Sequence, residues 1–485
     1  MKIAKIEIND FRGFPGPSTY TFDLGNARHM LLYGENGSGK SSVFHALQEF
    51  FNLDHTAKPF ATFKNIFSDP ALASGNVAIH FDDGAASAWP FGGARPVAEP
   101  RVSNTAIRVG CLDYRSLLRT NFDHKTDQVN LFDVAVGHLL THHPVVVGGR
   151  QTTIGALWQH VLNVRPQYNG RRRLEAVAEA LANFNNSVQG ILPALTAKTE
   201  QILQAFPGCG IKLTFEFPGV EYLNHQHAYG KLHLHVDVTF NETPIRGHQH
   251  FLNEARLSAI GIALYLAGLL ISIPPPPPGA PGYPSVLVLD DVLIGLDMNN
   301  RLPLLAVLQQ HFAAWQVFLL THDPVWNDMV VRQMDGNPDW CFHELFLKEV
   351  QGGIAVPIHK PPSAGGPYYL NQARERLADG DDRGAAQYAR MAFESKIKKY
   401  CEEQGLRVRY NRNPNRMDAQ SFWNAIKQAA RDDDSFDAKQ PTFNRLEMFR
   451  SVALNPLSHE GPAAITRDEI RGAIDAVEAL GAVLV

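Results

Sequence analysis

The stretch Gly34-Glu35-Asn36-Gly37-Ser38-Gly39-Lys40-Ser41 fills every fixed position of the pattern G-x-x-x-x-G-K-[ST]. An apolar run, Met30-Leu31-Leu32-Tyr33, reads as a strand before it, and Ser42-Val43-Phe44-His45-Ala46-Leu47 begins an amphipathic helix after it. Strand, glycine-rich loop and helix in that order make a phosphate cradle, because loop amides and the positive end of the helix converge on one spot. Asn36, Gly37, Ser38, Gly39 and Ser42 complete that cradle around Lys40, which reaches the β and γ oxygens as a point charge. The Ser41 hydroxyl suits Mg²⁺, which prefers oxygen ligands and substrate phosphates. The motif therefore predicts a bound triphosphate with Mg²⁺. A chance glycine turn is the alternative, and the flanking strand and helix argue against it.

The surrounding chain is compatible with such a domain. Its 485 residues allow two to four domains, and 45% hydrophobic with 19% charged residues is a soluble globular composition. A net charge of -4 gives no bulk attraction for nucleic acid, which leaves only a local basic patch for that role. Cys111, Cys209, Cys341 and Cys401 stand far apart without C-x-x-C pairing, so reduced thiols are expected rather than a disulfide frame or a zinc site. The start, Met1-Lys2-Ile3-Ala4-Lys5, lacks the apolar core of a signal peptide. No uninterrupted apolar run is expected to span a membrane, and the expected location is the cytoplasm.

Upstream of the loop, Ile3-Ala4-Lys5-Ile6-Glu7-Ile8 alternates as a strand and Ser18-Thr19-Tyr20-Thr21-Phe22 reads as its hairpin partner. Downstream, strands are predicted at 77–81 and 107–112, with surface loops in the Gly, Ala and Pro rich chain between them. From 171 to 206, apolar residues recur at three and four residue steps as one helical face, and Pro193 should kink or divide that helix. Strands follow at 211–217 and 232–238. His233, His235 and Asp237 share a strand face near His225 and His227, so chelation is geometrically open, but an exposed polar face is the expected state.

Asn253 is a good helix N-cap, and Glu254 suits the positive end of the apolar helix that runs through Leu270. A proline run at 274–278 predicts a stiff surface loop. Val286-Leu287-Val288-Leu289-Asp290-Asp291 then reads as a buried strand ending in two carboxylates. Ile294-Gly295-Leu296-Asp297 follows, and a second buried strand, Val317-Phe318-Leu319-Leu320, ends in Thr321-His322-Asp323. Apolar strands with polar ends fit a doubly wound sheet whose ligands sit beyond the strand carboxyl ends. Asp290 is assigned to the Mg²⁺ shell beside Ser41, mostly through water, and Asp291 to the attacking water. His322 is assigned to the γ-phosphate or to that same water.

In this order the motifs resemble the ABC-type ATPase head of the RecF, SMC and overcoming-lysogenization-defect families, over about the first 360 residues. The resemblance matches Walker A to 34–42, Walker B to 286–291, the D-loop to Leu296-Asp297 and the switch histidine to His322. It also brings Arg12, in Asn9-Asp10-Phe11-Arg12-Gly13-Phe14, close to the nucleotide. The family's Ser-Gly-Gly signature is replaced by Leu252-Asn253-Glu254-Ala255-Arg256, which implies that Asn253 offers its side chain to the γ-phosphate in place of serine. Asp291 stands for the commoner glutamate, which implies slow turnover, and Leu112-Asp113-Tyr114-Arg115 sits where the Q-loop is expected. The inserted arm is too short for the extended coiled coil of a chromosome-structuring member. The family further implies ATP and Mg²⁺ as the cofactors and two heads that share ATP between them, hence a homodimer or larger assembly.

The expected class is α/β: an ABC-type head of mixed sheet and flanking helices, with a short helical insertion and an all-α C-terminal domain. The expected boundaries are 1–150 and 207–362 for the two lobes of the head, 151–206 for the insertion and 363–485 for the helical domain. Within the last, Arg407, Arg409, Arg412 and Arg416 with Tyr410 read as a polar loop before a nucleic-acid patch. Arg390, Glu394 and Asn455-Pro456-Leu457-Ser458-His459 are similar to HEPN-type helical domains. The arginine position beside Asn455 is Leu454, however, so dimerisation or partner docking is preferred over a ribonuclease centred on His459. The layout looks most like the ATPase subunits of Septu-type and PARIS-type anti-phage systems. That likeness implies a nucleotide-gated scaffold for a separate nuclease effector, triggered by DNA or a phage product. A RecF-like repair ATPase and an ATPase-controlled ribonuclease toxin are the alternatives.

Overall fold

The computed structural model describes residues 1–53, 57–69, 71–121, 129–164, 171–206, 210–273, 282–293, 295–296, 298–334, 337–350, 354–360, 366–378, 380, 382–408, 419–431, 440–449 and 466–484. They divide into two compact units, Met1–Pro361 and Pro362–Val485.

The first unit opens with β1 (Ile3–Phe11), β2 (Phe14–Asp23), β3 (His29–Gly34), α1 (Lys40–Phe50), β4 (Asn76–Phe81) and β5 (Ala86–Pro90). Next come α2 (Pro100–Ala106), β6 (Val109–Asp113), α3 (Tyr114–Asn121), α4 (Phe132–Val134), β7 (Pro144–Val147), β8 (Arg150–Thr153), α5 (Ile154–Asn163) and α6 (Arg171–Leu203). Short strands β9 (Ile211–Glu216), β10 (Glu221–Leu223), β11 (Ala228–Gly230), β12 (His235–Phe240) and β13 (Thr243–Ile245) precede α7 (His248–Phe251) and α8 (Glu254–Ser272). The unit closes with β14 (Val286–Asp290), α9 (Met298–His311), β15 (Gln316–Thr321), α10 (Pro324–Gln333), β16 (Trp340–Val350) and β17 (Ile354–Lys360).

Six strands in the order β17-β16-β3-β15-β14-β6 form the central sheet, parallel except for β17. Every residue of β14 and β15 is buried, as expected of parallel strands covered on two faces. Successive side chains take opposite faces. Val286 and Val288 join Leu47 and Phe50 of α1 and the aromatic cluster beneath the antiparallel sheet β2-β1-β4-β5, while Leu287 and Leu289 join Ile262 and Leu266 of α8. Gln316 locks the two sheets together: its Oε1 accepts from the Ile3 amide at 2.8 Å and its Nε2 donates to the Ile3 carbonyl at 2.7 Å.

Three local expectations differ from the structure. Helix α6 runs undivided through Pro193, because Val177, Phe184, Val188, Ile191 and Leu195 are buried along one face and packing offsets the lost backbone bond. The predicted loop between 81 and 107 holds β5, which alternates exposed residues with buried Ser87 and Trp89, and α2, which starts on Pro100. Helix α8 is long and apolar enough to cross a membrane by length and composition, which corrects the expectation that no run would be. Most of it is buried, against α6 and α3 among others.

The second unit contains α11 (Gly366–Ala378), α12 (Asp382–Glu403), α13 (Ala419–Arg431), α14 (Gln440–Phe449) and α15 (Arg467–Val483). Their core gathers Phe393, Trp423, Phe443, Ile474 and Leu480. Thr466 and Glu469 form a capping box at the start of α15. Arg390 pairs with Glu394 at 3.0 Å, and the neighbouring Met391 is 44% exposed. Arg409, Tyr410, Arg412, Arg416 and the stretch around His459 lie outside the described residues, as do the proline run at 274–278 and Cys209.

Candidate nucleotide site

Residues 34–39 turn β3 into α1 on left-handed glycines, Gly37 at φ 87° and Gly39 at φ 102°. Gly39 is the N-cap of α1 and carries no side-chain cap, so the helix presents its first amides to the loop. A Cβ at Gly34 would stand 2.4 Å from Ser38 Oγ and 2.9 Å from the Leu345 carbonyl, so the loop closes here only with glycine. Glu35, Asn36 and Gly37 form an exposed crest, with Ser38, Lys40 and Ser42 buried beneath it. The Ser38 hydroxyl has no partner. Lys40 Nζ donates to the carbonyls of Gly34 at 2.8 Å and Glu35 at 3.1 Å. Burial lowers the Lys40 pKa, against the attraction of Asp291 and Asp290.

Strand β15 lies beside β3 and β14 beside β15, and their carboxyl ends supply the other predicted groups. Asp290 is 6% exposed and its Oδ1 lacks any hydrogen-bond partner. Burial pushes its pKa up to about 6; the Ser41 hydroxyl and Lys40 favour the charged form, and Asp291 and Asp113 oppose it. Asp291 takes a left-handed φ of 52°, uncommon for a residue with a side chain and characteristic of functional turns. Its Oδ1 accepts from the His322 amide at 2.9 Å and from His322 Nδ1 at 2.8 Å. Since a carboxylate only accepts, Nδ1 carries the proton of this bond, and Nε2 is the ring nitrogen left to face the site. A cavity of about 120 Å³ adjoins this pair, lined also by Arg301, Thr321, Asp323 and Trp326.

The remaining predicted residues take these places. Arg12, with a left-handed φ of 49°, follows Phe11 where β1 ends and has its amide bonded to the Phe63 carbonyl at 2.6 Å. The next residue, Gly13, donates to Ser42 Oγ at 3.1 Å, so Ser42 ties this turn to α1. Asn253 caps α8, its side chain accepting from the Arg256 amide at 3.0 Å, and both Asn253 and Glu254 are exposed. Asp297 lies outside the described residues. His233 and His235 stack at 5.5 Å, and among the described residues no group of three or more His, Cys, Asp or Glu is disposed to hold a metal by itself. Asp113, within the stretch expected at the Q-loop position, pairs in register with Asp290 across β6 and β14, a proximity that sequence reasoning did not foresee. It also missed Arg301; the available signal was a cation in the first turn of a helix, where the dipole disfavours it.

A buried carboxylate with an unpartnered oxygen, a neighbouring hydroxyl, a lysine held on loop carbonyls and a glycine cradle fit a triphosphate with hydrated Mg²⁺. No protein-family model and no curated protein matches the chain. Solved structures similar to it include three SMC heads. One, an Smc head bound to the C-terminal winged-helix domain of ScpA, is 13% identical with a TM-score of 0.41, covering 74% of this chain and 98% of that one. A Pyrococcus furiosus Smc head with an extended coiled coil, bound to the C-terminal domain of ScpA, gives 13% and 0.41 over 78% and 99%. The SMC head domain from Thermotoga maritima gives 15% and 0.33 over 75% and 100%. At these identities and scores the likeness bears on neither activity nor partner.

Proposed function

We propose that the chain is an ABC-type ATPase that binds and slowly hydrolyses Mg²⁺·ATP. The observation that carries this reading is the convergence of Lys40, Asp290 and the Asp291–His322 pair at the carboxyl ends of three adjacent parallel strands. Bound Mg²⁺·ATP supplies the phosphoanhydride and the cation. Lys40 exchanges the Gly34 and Glu35 carbonyls for phosphate oxygens, trading neutral acceptors for anionic ones. Ser41 and Asp290 hold the cation's hydration shell. Asp291 orients the attacking water, and His322, fixed by the same carboxylate oxygen, turns Nε2 toward the reacting phosphate or that water. Equilibrium binding of ATP and its loss in Lys40→Ala test the reading; equal affinity in the two proteins sinks it.

The exposed, self-capped start of α8 supports action in trans, with Asn253 and Glu254 of one copy meeting ATP held by another, so a homodimer or larger assembly belongs to the proposal. The helical unit is read as its dimerisation or docking module, and the whole as a cytoplasmic sensor and scaffold for a partner nuclease in anti-phage defence. That finer role rests on the layout of the motifs. Mass measurement of the assembly with ATP and with the product of an adjacent nuclease gene tests it, and a chain that stays monomeric and alone under every nucleotide state speaks against it.

A further inference from the structure

One guanidinium bridges the two strand ends that carry Asp291 and His322. Arg301, in the first turn of α9, donates through Nε to the Leu296 carbonyl at 2.9 Å and through Nη1 to the Asp323 carboxylate. Leu296 closes the turn that follows Asp291, its amide bonded to the Leu293 carbonyl at 2.9 Å. Asp323 directly follows His322, and its other oxygen caps α10 by accepting from the amides of Val325 at 2.9 Å and Trp326 at 3.0 Å. The Asp323 amide is itself held by Thr321 Oγ1 at 3.1 Å. Burial opposes the Asp323 charge, yet the Trp326 amide and Arg301 outweigh it and keep the carboxyl below the ordinary aspartate range.

An isolated helix-end ion pair would need only the Asp323 arm. The second arm, on a backbone carbonyl of the other strand's turn, requires a planar fork with separated donors, which arginine has and lysine lacks. The side chains of Arg301 and Asp323 are 15% and 28% exposed, shielded enough for the pair to hold geometry rather than exchange freely with water. Arg301 and Asp323 also line the same cavity as Asp291 and His322.

We propose that Arg301 is a positioning residue, a two-armed clamp that fixes the turn after Asp291 to the exit of the His322 strand and so keeps the Asp291–His322 pair in register. Its consequence for turnover rests on the ATPase reading; its geometry does not.

The test uses the full chain with Arg301→Gln, Arg301→Lys and Asp323→Asn, read by hydrogen-exchange mass spectrometry, nucleotide affinity and hydrolysis at saturating ATP. Arg301→Gln should speed exchange about tenfold or more in peptides covering both 291–296 and 321–326. It should also lower kcat about tenfold or more while leaving ATP affinity within about twofold. Arg301→Lys, which keeps the charge but reaches one acceptor, should restore protection in 321–326 alone. Unchanged exchange in either segment, or affinity that falls in step with kcat, overturns the clamp. Should the wild type bind ATP without hydrolysing it, the ATPase reading falls while the exchange pattern still decides the clamp. Should Arg301→Gln fail to fold, Asp323→Asn, which removes the charge of one acceptor, carries the same comparison.

Discussion

A single carboxylate oxygen, Asp291 Oδ1, accepts both from the backbone amide of His322 and from its imidazole Nδ1. The bidentate hold couples strand end to strand end and fixes one tautomer of the ring. Asp291→Asn and His322→Ala should each lower hydrolysis about 100-fold with ATP affinity within about threefold, and the double variant should be little worse than either, because the pair acts as a unit. Full turnover in either single variant, measured by phosphate release, contradicts the pairing as a catalytic device.

Lys40 is anchored on two loop carbonyls before any ligand arrives. Lys40→Ala should therefore weaken ATP binding about 10- to 100-fold, as expected from losing one or two charge-assisted bonds. Titration of a fluorescent nucleotide gives the ratio directly.

Asp290 carries a pKa raised by burial to about 6. Its neutral form fits the free fold, so its contribution to stability is complete below the ordinary aspartate pKa and is lost as pH rises through about 6. Asp290→Asn should then stabilise the free protein at pH 7.5 by about 1–3 kcal/mol and have little effect at pH 4. Saturating Mg²⁺ and nucleotide should invert that ranking, since the wild-type carboxylate binds what the amide does not. A variant that melts below the wild type at pH 7.5 without ligand would run against this account.

His343 Nε2 donates to the Asp23 carbonyl at 3.1 Å and His343 Nδ1 accepts from His359 Nε2 at 2.8 Å. Burial depresses the two pKa values to about 3 and about 4. Depressed histidines contribute stability that is fully present above about 6.5 and is lost as pH falls toward those values. The double variant His343→Gln, His359→Leu should show a flatter fall of melting temperature between about pH 6.5 and 4.5, whatever its starting stability. An equally steep fall in wild type and variant rules the pair out as its source.

Gly34 faces Ser38 Oγ and the Leu345 carbonyl with no room for a methyl group. Gly34→Ala should cost about 1–3 kcal/mol by overpacking and weaken nucleotide binding with it, read by urea unfolding and the same titration. A variant as stable and as tight-binding as the wild type would mean that the loop relaxes.

The central sheet was legible because β14 and β15 are continuous apolar runs that stop abruptly at Asp290 and Thr321, and because the strand, loop and helix around Lys40 each carry their own local signal. The Asp291–His322 contact was foreseen only as two residues near one phosphate. Their direct bond depends on the left-handed turn at Asp291, which no side-chain pattern announces. Arg301 escaped notice because its partners lie on two other strand ends, and strand β5 because alternation over five residues inside a Gly-rich stretch is too brief to stand out.

Helix α8 has no hydrophilic side to show to water, and part of its cover is α6. Residues 171–203 leave the ribosome before residues 254–272, so an apolar surface is waiting when this apolar helix emerges, and release factors need not be reached before that part of it is shielded. Reordering the gene so that 254–272 is translated first should shift the nascent product toward chaperone capture and inclusion bodies, although the finished polypeptide would contain the same contacts.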